Sequence, residues 1–123
     1  MPPRTLLVVT EDEAISQAAR FGFPSDTQVV VMPDAGAASE WMKHSIPAAV
    51  VAEIRTGNEG GFALGKDMRA DERLARVPLV MIVERMQDLW LARQAGADLC
   101  LRKPLGMGDL VARTLEVAES GAK

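Results

Sequence analysis

The chain has 123 residues, 48% apolar and 25% charged, which suits one globular domain spanning residues 1–123 and excludes disordered or fibrous proteins. A net charge of -3 leaves no basic surplus of the kind a nucleic-acid backbone attracts, so direct nucleic-acid binding is not expected. A single cysteine, short apolar runs and the start Met-Pro-Pro-Arg argue against a disulfide framework, a membrane span and a signal peptide, so a cytoplasmic protein is expected.

In chain order, an apolar run at 6–9 predicts a first strand and 13–21 a first helix. Strands at 28–32, 48–52, 79–83 and 99–101 then alternate with helices at 35–44, 62–70, 87–95 and 109–119. Most strand runs are apolar on successive residues, which a strand needs when helices cover both faces of a parallel sheet. Prolines at 24, 33, 47, 78 and 104 stand between or at the edges of elements, and the Gly-rich stretch 57–61 reads as a turn. Without the lysine and Ser/Thr of a P-loop, that stretch is not a phosphate cradle. Met68, Met81 and Phe62 are expected in the core. The (βα)5 order predicts a doubly wound α/β fold whose crevice lies beyond the carboxyl ends of the strands. Thr10, Glu11, Asp12, Glu53, Val83, Glu84 and Lys103 stand at those ends.

The segment Gly96-Ala97-Asp98-Leu99-Cys100-Leu101-Arg102-Lys103-Pro104-Leu105 resembles the fifth strand and Lys-Pro signature of CheY-like response-regulator receiver domains. Val77-Pro78-Leu79-Val80-Met81-Ile82-Val83, and Val50-Val51-Ala52-Glu53-Ile54 followed by Gly60-Gly61-Phe62, are similar to the family's fourth and third strands. The resemblance implies a flavodoxin-like five-stranded parallel sheet of order 2-1-3-4-5. It also implies a site in which an acidic pair binds Mg²⁺, an Asp accepts a phosphoryl group, a Ser or Thr hydrogen-bonds it and a Lys neutralises it.

Matched residue by residue, Glu11 and Lys103 keep the second acid and the lysine, with Pro104 completing the signature. Thr10 stands at the first acid, Glu53 at the phosphoacceptor and Val83 at the hydroxyl. Losing an acid at Thr10 weakens any Mg²⁺ site built from Glu11, Asp12 and Glu53, because Mg²⁺ wants oxygen ligands at about 2.1 Å. The extra methylene of Glu53 moves its carboxylate by roughly an ångström, a misplacement that alone costs about 10²-fold in rate. Val83 forfeits a hydrogen bond worth about 1.5–3 kcal/mol to a charged oxygen. Cys100 occupies a switch position where the family often carries an aromatic. Three readings of Glu53 stand: a carboxylate balanced by Lys103, a built-in phosphate mimic, or an atypical acceptor. Asp12 is expected to cap the first helix, with a metal role as its alternative.

Ala92 and Ala95 mark a buried stripe on the fourth helix, which puts Trp90 nearly opposite and Leu91 at the margin, both candidates for an apolar contact patch. His44 is expected at the surface, at the end of the second helix. The leading expectation is a non-enzymatic signalling module, a pseudo-receiver acting through protein contacts without phosphoryl control and without a required cofactor. Implied partners are a histidine kinase or downstream regulator, and a homodimer through the fourth helix, fifth strand and fifth helix. Its rival is an atypical receiver phosphorylated at Glu53 or Asp12 with Mg²⁺. A small-ligand binder or enzyme of flavodoxin-like fold is disfavoured, since Rossmann glycines, a nucleophile triad and metal-spaced histidines are all missing from the sequence.

Overall fold

A computed structural model describes residues 4–54, 60–103 and 106–121. Strands β1 (Arg4–Val9), β2 (Thr27–Met32), β3 (Ala49–Glu53), β4 (Leu79–Val83) and β5 (Leu99–Arg102) alternate with helices α1 (Glu13–Gly22), α2 (Ala35–Met42), α3 (Gly61–Ala70), α4 (Met86–Gln94) and α5 (Met107–Gly121). All strand pairs are parallel and the order is β2-β1-β3-β4-β5, the doubly wound sheet expected.

The apolar runs are explained by the pleat, which sends successive side chains to opposite faces. Leu7, Val9, Val50, Ala52, Leu79, Met81 and Val83 pack with Ala35, Ala38, Leu64, Met68 and Ala92 of α2, α3 and α4. Val8, Val51, Val80, Ile82 and Leu101 pack with Ile15, Ala18, Ala19 and Leu110 of α1 and α5. Each of these apolar strand residues thereby finds a helix layer, and burying one such side chain contributes about 1.5–3 kcal/mol.

Two details differ from the sequence reading. Phe62 is exposed, with the Lys66 ammonium 5.9 Å from its ring centre, because the buried stripe of α3 runs through Gly61, Leu64, Gly65 and Met68 and leaves Phe62 off it. α2 stops at Met42, where the N–H groups of Lys43 and His44 turn back three residues to the carbonyls of Glu40 and Trp41. His44 is exposed, as expected.

The amino end of the sheet is stapled by Arg69. Its guanidinium donates to the carbonyls of Gly96, Ala75 and Val77 and to Asp98 Oδ2, which also accepts from the Leu79 N–H. Gly96 adopts φ +90°, a conformation that favours glycine, and a Cβ there would meet the Arg69 side chain at 2.6 Å.

Candidate functional site

Thr10, Glu53 and Lys103 extend the pleat rows of Val8, Val51 and Leu101 by one step, so three strand ends aim polar groups at the same crevice, on the α1 and α5 side. Thr10 Oγ1 donates to Glu53 Oε2 at 2.6 Å and accepts the Asp12 N–H at 2.9 Å. Lys103 Nζ makes an ion pair with Glu53 Oε1 and a hydrogen bond to Asp12 Oδ2 at 3.2 Å. A closed ring results, running from Glu53 through Thr10, Asp12 and Lys103 back to Glu53. It joins β1, the start of α1, β3 and the segment after β5. Glu53 is only 8% exposed, so the hydrogen bond and ion pair on its two oxygens offset a real desolvation cost.

Asp12 also caps α1, its Oδ1 accepting from the Ala14 and Ile15 N–H groups at 2.8 and 3.4 Å. Desolvation pushes its carboxyl up, but the Lys103 ammonium and the two helix amides outweigh that and hold it below the ordinary carboxylate range. Desolvation likewise pulls the Lys103 ammonium down, and the hydrogen bonds and charges of Glu53 and Asp12 more than reverse it, leaving Lys103 above the ordinary lysine range. α3 begins directly behind Glu53. A Cβ on Gly61 would stand 2.5 Å from the Glu53 carbonyl oxygen and 2.8 Å from Met81 Sδ, so this close approach requires glycine.

The other sequence candidates divide. Glu11 is exposed and, among the described residues, makes no hydrogen bond or ion pair, so it stands outside the ring. Val83 is wholly buried in the α2, α3 and α4 layer, and its carbonyl accepts the Lys103 N–H at 2.8 Å. Cys100 is half-buried against the same layer; burial pushes its thiol up, with Arg93 opposing. Trp90 is 64% exposed, with Met86 one turn before it also exposed. Leu91 departs from the exposed patch anticipated for it: it is half-buried and packs on the core. Pro104 and residues 57–59 of the glycine-rich turn lie outside the described residues.

Asp88 was not foreseen. It is almost fully buried in the first turn of α4, with Arg85 Nε 3.5 Å from its Oδ2. Together with Glu53, Ile54, Ile82 and Glu84 it lines a cavity of about 20 Å³, room for one water. The sequence signal was an acid three residues after Arg85 in a first helical turn, which reads more simply as a dipole partner.

The described residues of the site, as they are paired, do not fit Mg²⁺. Both oxygens of Glu53 and both of Asp12 are already engaged, and the Lys103 ammonium stands between the two carboxylates. Among the described residues no group of three or more His, Cys, Asp or Glu side chains could hold a metal ion.

No protein-family model matches the chain. Its sequence is 25% identical over 114 residues to response regulator Rre1 of Synechocystis sp., covering 89% of this chain and 49% of that protein. The chain thus spans about half the length of that curated relative. A putative response regulator from Chloroflexus aurantiacus superposes with a TM-score of 0.85 at 21% identity, covering 95% of this chain and 98% of that one. The receiver domain of sensor histidine kinase PA1611 from Pseudomonas aeruginosa, solved with a magnesium ion coordinated in its active-site cleft, gives 0.83 at 19% identity, again covering 95% and 98%. A CheY-like receiver domain protein from Methanospirillum hungatei gives 0.81 at 17% identity over 98% of this chain and 97% of that one. The chain therefore has the fold of response-regulator receiver domains.

Proposed function

We propose that this chain is a pseudo-receiver: a non-enzymatic, cytoplasmic module of two-component-type signal transduction that acts through protein contacts and not through phosphorylation. The observation that carries the reading is the engagement of Glu53. Its carboxylate, at the acceptor-equivalent position, is held by the Thr10 hydroxyl and the Lys103 ammonium. Attack on a phosphoryl donor needs a free, aligned carboxylate oxygen, a cation to screen the donor and a hydroxyl to steady the transferred group. Here the lysine is already paired with Glu53, and Val83 contributes no hydroxyl. The arrangement thus favours an internal ion pair where phosphate chemistry would occur.

Contacts with protein partners are supported by the exposed Trp90 and Met86 on α4, since exposed tryptophans are frequent anchors in interfaces. A histidine kinase, a downstream regulator, or a second copy docking through α4, β5 and α5 are the partner classes this reading carries.

Incubation with acetyl phosphate and Mg²⁺ followed by intact-mass measurement tests the proposal. The expected outcome is an unchanged mass; a stoichiometric gain of one phosphoryl group on the wild-type chain overturns it in favour of an atypical acceptor at Glu53 or Asp12.

A further inference from the structure

Within the ring, Asp12 has two oxygens serving different elements. Oδ1 accepts from the Ala14 and Ile15 N–H groups and so fixes the first turn of α1, while Oδ2 takes the Lys103 ammonium at 3.2 Å. Its backbone is held as well, because the Asp12 N–H donates to the Thr10 hydroxyl, which is itself oriented by donating to Glu53. Crevice residues therefore set both where the cap begins and which way its carboxylate faces.

We infer that Asp12 relays the state of the Glu53–Lys103 pair into helix α1, so that the crevice and α1 form one thermodynamically coupled unit. The strength of each contact decides the route. Lys103 also reaches Glu84 at 3.6 Å, but Glu84 is 69% exposed and such a pair is screened by solvent. The Asp12 pair is better shielded and shares its carboxylate with a helix cap, whose loss frees two amides at once. Loosening Lys103 leaves Asp12 free to rotate, and a rotating carboxylate caps less of the time. Coupling of this kind is reciprocal: a molecule that shifts the first turn of α1 alters the hold on Lys103 by the same factor. The inference rests on the hydrogen bonds of Asp12 and is independent of whether the chain accepts phosphate.

Hydrogen exchange of the Ala14 and Ile15 amides in the full chain reads the relay directly, because first-turn amides exchange by local opening. The Val8 and Val51 amides in the sheet correct for global stability. Glu53→Gln and Lys103→Met are two independent perturbations of the pair. Each is expected to speed exchange at Ala14 and Ile15 by about fivefold relative to the sheet, the scale of a weakened cap. Asp12→Ser keeps a capping hydroxyl but is too short to bridge to Lys103, so in that background the same substitutions should change the ratio less than about twofold. Unchanged protection at α1 in both variants, or a full response persisting in the Ser background, overturns the relay.

Discussion

Glu53→Gln removes one negative charge and little else, which makes it the sharpest perturbation of the crevice. In the wild type, Glu53 is nearly buried and the Lys103 side chain is 23% exposed, so the pair is shielded from water but not sealed. Breaking a fully buried pair costs about 3–5 kcal/mol, because one charge is stranded. Here Lys103 retains part of its hold on Asp12, which is 3.2 Å away in the wild type, and Glu84 at 3.6 Å gives a weaker, solvent-exposed contact. That residual support brings the expected loss down to about 2–3 kcal/mol at neutral pH, within reach of a charge-assisted hydrogen bond plus partial desolvation. Urea denaturation should show this as a midpoint lowered by roughly 1–2 M with an unchanged slope. The pH dependence adds a second signature. The folded state holds Lys103 above its ordinary value, so the stabilisation is complete below the ordinary lysine range and fades as pH rises through the raised one. The gap between wild type and variant should therefore close at strongly alkaline pH. Replacing both partners, as Glu53→Gln with Lys103→Met, should cost less than the sum of the single changes. A single-variant loss under about 0.5 kcal/mol, the range of an ordinary surface change, or strict additivity in the double variant, would refute the pairing argument.

Other outcomes follow from individual contacts. Acidification should cancel the Asp12 contribution: its folded carboxyl lies below the ordinary value, so that stability is present above the carboxylate range and is lost as pH falls through the depressed one, measurable as a smaller Asp12→Asn effect in acid. Arg69→Ala should cost about 3 kcal/mol in urea unfolding, because it leaves several carbonyls at the amino end of the sheet without their donor, and Arg69→Lys should not rescue it. Thr114 is wholly buried in α5 with a hydroxyl that finds no partner among the described residues, so Thr114→Val should raise stability by about 1 kcal/mol in thermal unfolding. Gly61→Ala should lower it by about 2 kcal/mol or more, since the added methyl would collide with the Glu53 carbonyl.

The sheet was legible because its strands are short, apolar on both pleat faces and punctuated by helical segments, and no tertiary detail competes with that pattern. The strand-end rule likewise placed Thr10, Asp12, Glu53 and Lys103 in one crevice, but it also put Glu11 and Val83 there, whereas Glu11 stands outside the ring and the Val83 side chain packs into the α2, α3 and α4 layer. What stayed hidden was pairwise and long-range. Arg69 with Asp98, 29 residues apart, looks from sequence like two ordinary surface charges. Asp88 reads as a helix-start acid, and only the packing of α4 against the end of β4 buries it. Phe62 misled because its neighbour Gly61, not the aromatic ring, is the residue that must fit beneath the end of β3. Leu91 sat at the margin of a stripe, where 100° geometry cannot say which way a side chain leans.

The central claim is that the Lys103 ammonium belongs to Glu53 and Asp12 and not to a phosphoryl group or a metal-loaded crevice. Nitrogen-15 NMR of the lysine side-chain ammonium groups tests it most directly, followed through additions of millimolar Mg²⁺ and acetyl phosphate. The account predicts a protected Lys103 resonance that neither addition shifts and whose exchange with water Glu53→Gln accelerates. A Lys103 ammonium exchanging as freely as surface lysines, or a resonance that moves as phosphate or Mg²⁺ enters, contradicts it.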